Sequence, residues 1–306
     1  MPMSTPASGT TEAAAAPDAP ELAERRPDGV VRGLLRHRSA RVGFAILGVY
    51  VVGTILGPLV FHSNPSNNFD YQSLQDAFLK PSTAHLLGTD SLGRDTLVRL
   101  FYGARFTLFI ALTAVALGLV IGIPLGATSG YFGGWADILI QRIVDIVLAF
   151  PAFILALSLV AVLGPGLRNL IISVGITSFP RFVRMLRGTV LSVREQPFVE
   201  AARALGVRST RIMVRHVIPN SLAPLIVLAT LELGTAILTA AGLGFLGVGV
   251  QQPTPEWGGM LGASRDYIFS DSLLITFPGL CIFGAVLAFN LVGDGLRDVL
   301  DPRLKR

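Results

Sequence analysis

Cysteine is nearly missing from these 306 residues. Cys281 stands alone, so the chain cannot form an internal disulfide, and a zinc site built on several thiolates is excluded. Lysine is almost as scarce. Of the 25 basic residues only Lys80 and Lys305 are lysines, and neither follows a glycine. No phosphate loop of the form G-x-x-x-x-G-K-[ST] can be drawn, so any ATP-driven work must use nucleotide bound by another chain. The four histidines, His37, His62, His85 and His216, show no H-x-x-x-H spacing. Charge as a whole is thin: 15% of residues are charged and 51% are apolar, where an average soluble domain has about 25% charged. So few charges cannot cover so much apolar surface in water, and the mean hydropathy of +0.61 excludes disorder over most of the chain. A net charge of +5 does not call for nucleic acid, because arginine-rich cytoplasmic loops of a membrane protein produce it.

Long apolar runs are what the chain has in their place. A bilayer core of about 30 Å takes about 20 helical residues. Six runs qualify: 42–61, 106–127, 143–163 (beginning a turn or more earlier), 170–186, 222–246 and 273–292. The fourth is the weakest, since it holds Pro180, Arg181 and Arg184. Nineteen of the 25 basic residues fall in the N-terminal region, at Arg142, in the 181–216 stretch and at the C-terminus. The other six are Lys80, Arg94, Arg99, Arg105, Arg168 and Arg265. The positive-inside rule then predicts both termini in the cytoplasm, which an even number of spans allows. The first apolar run begins after residue 41, too late for a cleaved signal, and residues 1–30 read as a disordered cytoplasmic tail. Residues 62–105 and 250–272 are expected outside. The first opens on turn-rich 62–68 and ends in an amphipathic stretch, 95–102, capped by Asp95. In the second, Trp257 and Tyr267 suit the headgroup level.

The cytoplasmic stretch from Glu200 to Pro219 is the most informative. Its pattern is E-A-A, three residues, G, nine residues, then H-x-I-P. It reads as helix, break, helix. Ala201 and Ala202 leave a low surface for a partner's groove. Gly206 can take the left-handed conformation that ends a helix. Ser209 or Thr210 can cap the next one, and Pro219 suits the entry to the fifth span. On charge alone, a basic loop lying on anionic lipid explains it as well. Two intramembrane carboxylates stand out. Asp145 is expected to pair with Arg142 at i−3 on its own helix. Glu232 has no partner within a turn, and either lines a central path or bonds a neighbouring helix. Asp294 and Asp298, one turn apart beyond the sixth run, order the C-terminal segment. No catalytic set emerges: 127–130 reads A-T-S-G rather than G-x-S-G, and no run holds the histidine such a serine would need.

The spacing around Glu200, Ala201, Ala202, Gly206, His216 and Pro219 resembles the EAA loop of permease subunits in binding-protein-dependent ABC importers. The family has an apolar residue where this chain has His216, and its peptide- and nickel-importing subgroup often carries histidine there. Residues 85–95, H-L-L-G-T-D-S-L-G-R-D, are similar to the G-T-D-x-x-G-R-D signature of the peptide-permease C subunit. Residues 245–258 and the N-L-V-G-D-G-L-R-D and L-D-P-R of 290–303 also resemble that subunit.

The resemblance runs from about residue 35 onward. It implies an all-α integral membrane protein with six transmembrane helices of the type I importer permease fold, in the bacterial inner membrane. The six-span domain would cover 31–306, with 62–105 an extracytoplasmic loop and 184–219 the cytoplasmic coupling loop. The implied partners are a related B-type permease forming a heterodimer, two ATPase subunits or domains that bind ATP and Mg, an extracytoplasmic peptide-binding protein, and membrane lipid. The same resemblance leaves open a nickel or glutathione importer. A self-contained ion-coupled transporter would instead show discontinuous helices and an inverted repeat.

Overall fold

The computed structural model describes residues 30–61 and 68–300. The expected tail up to residue 29, residues 62–67 and residues 301–306 lie outside the described residues. Every regular element described is helical. A short α1 (Val30–Arg36) leads into α2 (Arg38–Phe61), followed by the long α3 (Thr96–Phe132). Then come α4 (Gly134–Leu148), α5 (Ala152–Leu163) and α6 (Leu167–Val193). The short α7 (Pro197–Ala204) and α8 (Ser209–Ile212) precede α9 (Ile218–Phe245), α10 (Trp257–Ser264) and α11 (Leu273–Leu300).

Among the described residues, α2, α3, the continuous run from α8 through α9, and α11 are each long and apolar enough to cross a bilayer. α4 and α5 qualify only together, as a pair bent by 88°. The expected single run 143–163 is therefore broken. The break falls at Ala149-Phe150-Pro151, where Pro151 cannot donate to a preceding carbonyl. The amphipathic stretch expected outside is no separate element: it forms the first turns of α3, and Asp95 does cap it, accepting from the Val98 amide at 3.0 Å. α6 has the length to span, 27 residues or about 40 Å, but is too rich in arginine to pass as an apolar helix.

What holds α6 is a row of glycines. Gly118, Gly122, Gly126 and Gly130 recur every four residues along one face of α3, a stripe the sequence reading missed. A Cβ at Gly122 would stand 2.6 Å from the Phe182 Cβ, and one at Gly126 would stand 2.8 Å from the Val183 carbonyl oxygen. Small residues at i, i+4, i+8 let two backbones approach closely, and close approach is how helices bind one another where no hydrophobic force operates. The α3–α6 contact is the most extensive helix pairing in the fold.

The segments before α3 and after α9 clasp each other through buried charge. Asp90 accepts from the Leu92 and Arg94 amides and from Arg94 Nε at 2.7 Å. Arg94 Nη1 reaches Gln252 Oε1 at 2.8 Å, and Arg99 donates to the Phe69 and Pro253 carbonyls. Gly93 has φ +71, and a Cβ there would lie inside the Ser73 carbonyl, so the turn admits only glycine. Trp257 faces the protein interior: it is 1% exposed and donates Nε1 to the Leu100 carbonyl at 3.0 Å. Glu256 caps α10, accepting from the Gly258 and Gly259 amides at 2.8 Å each. Burial pushes its carboxyl above the ordinary glutamate range, against the pull of those two amides. Tyr267 stacks edge-on with Phe78, ring centroids 4.8 Å apart. Asp298 bridges from α11 to His37 at 2.9 Å, in keeping with an ordering role.

Candidate functional site

The segment between α6 and α9 is built around α7. Pro197 sits in its first turn, where a missing N–H costs nothing. The helix ends in a Schellman turn: Gly206, φ +75, donates to the Arg203 carbonyl at 2.9 Å, and Val207 donates to Ala202 at 3.2 Å. Val199, Ile212 and Val217 are fully buried, with Ala202 and Val207 packed beside them. Val199 and Ala202, three apart, are thus the inward face of α7. Ala202 faces the core, whereas Glu200, Ala201 and Arg203 are exposed.

The outward face holds an apolar strip that sequence reading passed over. Phe198, Ala201 and Leu205 share the i, i+3, i+7 spacing, and Leu205 is 83% exposed. Beside it lies an open concavity of ≈ 900 Å³, with Arg208, Arg211 and Arg215 on its walls. An apolar ridge rimmed by cations on a short, well-anchored helix can dock into a cleft with an acidic rim.

Neither Ser209 nor Thr210 caps α8. Arg208 holds the cap position, with no side-chain bond to the helix. No break separates α8 from α9 either. Residues Met213–Val217 form a π-turn, with the Ile218 amide donating to Met213 five residues back. The wide turn precedes Pro219, whose ring would clash in a regular helix. Carbonyls left over there are taken up by side chains: Asn220 Nδ2 donates to His216, and Ser221 Oγ donates to Val217. The His216 side chain is exposed.

The segment is tied to the membrane helices at the end of α3. Arg194 Nη1 donates to the Gly130 carbonyl at 2.8 Å and to Tyr131 at 3.4 Å, satisfying last-turn acceptors of α3. The Arg203 guanidinium lies over the Tyr131 ring, 5.7 Å from its centre.

Glu232 is far from this cluster and stands alone among the singled-out residues. It is buried in the middle of α9 and bonds across to Arg181 on α6, with Nη1 to its two oxygens at 2.6 and 2.9 Å. The bond to a neighbouring helix, one of the two expected roles, is formed. Asp145 does not pair with Arg142 on its own helix. It accepts from Arg184 of α6 at 2.6 Å, because the close α3–α6 packing brings α6 alongside α4. One turn on, Arg187 grips Asp137 with Nε and Nη2, both at 2.6 Å, and Asp137 also accepts from Ser129, itself bonded by Gln141. Ser129 is thus a structural hydroxyl. Among the described residues no three His, Cys, Asp or Glu side chains converge as metal ligands.

The family described as binding-protein-dependent transport system inner membrane component matches residues 122–306. The N-terminal TM domain of oligopeptide transport permease C matches 29–81. The dipeptide transport system permease protein DppC of Alkalihalophilus pseudofirmus is 47% identical over 89% of this chain and 88% of its own length. The di/tripeptide permease DppC of Pseudomonas aeruginosa is 46% identical over 88% and 89%. The glutathione permease GsiD of Pectobacterium atrosepticum is 41% identical over 90% of each. Among solved structures, the inward-facing MetNI methionine ABC transporter aligns over 67% of this chain and 96% of its own, with TM-score 0.55 and 24% identity, a likeness of fold. With both family matches falling where the helices and the α7 segment lie, the chain belongs to the inner membrane components of binding-protein-dependent transport systems, and is a multi-pass C-type permease subunit of an ABC importer.

Proposed function

We propose that this chain is one half of the membrane channel of an ATP-driven importer of di- and oligopeptides. A related B-type permease supplies the other half. Two ATPase subunits or domains bind ATP and Mg on the cytoplasmic side, and an extracytoplasmic binding protein delivers cargo. Both termini and the 184–219 region face the cytoplasm, and 62–105 faces outward. The chain itself holds no nucleotide. The names of the relatives support the cargo class, and glutathione, itself a tripeptide, falls within it.

The observation that carries the coupling role is the build of α7. Its inward face is locked by Val199 and Ala202, its end is fixed by the Gly206 turn, and its outward strip is left open. Closure of the ATPases on ATP would pull this segment. Arg194 and Arg203, both in contact with the end of α3, would pass the pull to the membrane helices. Gly206→Val tests it, since a β-branched residue is strained at φ +75. The variant should insert and pair with the partner permease, yet lose ATPase association and uptake. Wild-type association and uptake in Gly206→Val would refute the coupling role and return the stretch to the lipid-surface reading.

A further inference from the structure

Arg181 and Glu232 meet near the middle of their helices, at the depth where charge is hardest to keep. Glu232 is 6% exposed and Arg181 41% exposed. Both carboxylate oxygens are bound by a single nitrogen, Nη1. A guanidinium has five N–H donors in a plane, and here the edge formed by Nε and Nη2 has no hydrogen-bond partner among the described residues. That edge matches a carboxylate with two parallel bonds. The fold itself shows the fit six residues on, where Arg187 holds Asp137 through the same two nitrogens.

A half-open guanidinium near the middle of a helix is costly to leave against hydrocarbon, and such groups face a bundle interior or a water-filled cavity. Space opens one helical turn away, past the pair itself. There Met185 of α6 and Leu228 of α9 line an open cavity of ≈ 500 Å³, with Leu231 and Arg297 also on its wall. That volume lies within the range of about 300–1,000 Å³ for small-molecule sites. The cavity lies toward the α7 end of the bundle, where α6 and α9 lead into the coupling segment.

We infer that Arg181 contacts cargo. Its Nε/Nη2 edge takes the carboxylate of the passing peptide, while Glu232 holds the guanidinium in place. This rests on the peptide-importer reading. Glu232 has a second effect. An unpaired cation in a dry path would trap an anionic group, and transport requires a site weak enough to leave. The neutral Arg181–Glu232 pair offers the carboxylate two hydrogen bonds without a net charge.

The test uses the assembled importer in proteoliposomes with ATP, its binding protein and a dipeptide bearing a free carboxylate. In a Cys281→Ser background, Arg181→Cys should react with water-soluble methanethiosulfonates. It should lower uptake turnover by about tenfold, as loss of a charge-assisted pair implies. An ethylammonium adduct should restore part of the rate and an ethylsulfonate adduct none, a charge dependence that a packing defect would not show. Arg181→Lys should fall between, having charge without the fork. A thiol inert to both reagents, or wild-type turnover in Arg181→Gln, would overturn the inference. Loss of the partner permease from Arg181→Gln would also overturn it, by assigning the free edge to that interface. Absence of dipeptide uptake by the unmodified importer would refute the cargo reading itself.

Discussion

A methyl group added to the glycine row of α3 should force the two central helices apart. At Gly122 the new Cβ would stand 2.6 Å from the Phe182 Cβ, and at Gly126 it would stand 2.8 Å from the Val183 carbonyl oxygen, a backbone atom that no rotamer change can move. Carbon contacts settle near 3.5–4.0 Å, so α3 and α6 must part by about 1 Å. A gap of that size forfeits a quarter to a half of each van der Waals contact across the face. With tens of atom pairs at about 0.1–0.2 kcal/mol each, the loss is about 1–3 kcal/mol, in line with overpacked cores. Alanine recovers up to about 1 kcal/mol per site through helix propensity. The double variant Gly122→Ala/Gly126→Ala recovers up to about 2 kcal/mol over its two sites, and should be about 1–3 kcal/mol less stable than that gain alone would make it. Gly48→Ala on α2 and Gly188→Ala on α6 are internal controls, because nothing lies within 4 Å of a Cβ at either position. They should be neutral or stabilised. Thermal unfolding of the purified chain in one detergent, all variants side by side, reads the difference. If Gly122→Ala/Gly126→Ala melts no lower than Gly48→Ala/Gly188→Ala, close packing along this row is not what holds α6.

Glu256→Gln should cost about 1–3 kcal/mol, since the Gly258 and Gly259 amides bond different carboxylate oxygens and glutamine puts an NH2 donor in place of one of them. Burial raises the Glu256 carboxyl, so the folded chain keeps this proton after the unfolded chain has lost it. Stability should then fall as pH rises from the ordinary glutamate range through the raised value, and that slope should vanish in Glu256→Gln melts. Asp137→Asn should lower stability by about 1 kcal/mol by loosening Arg187 and Ser129. Asp145→Asn, at a pair half-open on both sides, should move it by less than about 0.5 kcal/mol, and equal effects would contradict the difference in burial. Reporter fusions at residues 75 and 260 should be active only as extracytoplasmic reporters, and cytoplasmic activity at either would refute the topology.

Periodicity made the helices of the apolar runs legible, and a single glycine made the end of α7 so, because both signals are local. Five of the six expected runs stand as single helices with shifted ends, four of them apolar enough to pass as spans. The break in the third was not read, although Phe150-Pro151 stood in the run, because its apolar character is unbroken across the proline. The partners of charged residues were the least legible. Arg142 and Asp145 have good helical spacing, yet Asp145 turns to Arg184, 39 residues away. That choice depends on how closely α3 and α6 pack. The packing was written in the chain as glycine at 118, 122, 126 and 130, a four-residue repeat easily overlooked among 33 glycines. The partner of Trp257 was hidden for a related reason: the Leu100 carbonyl that accepts from its N–H lies 157 residues earlier in the chain. The inward turn of Ala202 was open to reading from Val199, three residues earlier, and the outward strip of Phe198, Ala201 and Leu205 follows from it.

The Arg181–Glu232 pair also sets a schedule for synthesis. Arg181 emerges from the ribosome 51 residues before its carboxylate, and at about 5–20 residues per second that is an interval of about 3–10 s. Its neighbours Arg184 and Arg187 find their partners on α4, already made. For those seconds α6 carries one arginine into the membrane without its counter-charge, its glycine groove on α3 waiting and α9 not yet translated. Nascent chains arrested before residue 232 should hold α6 at the translocon, open to aqueous reagents, while chains arrested beyond α9 should have released it into the bilayer.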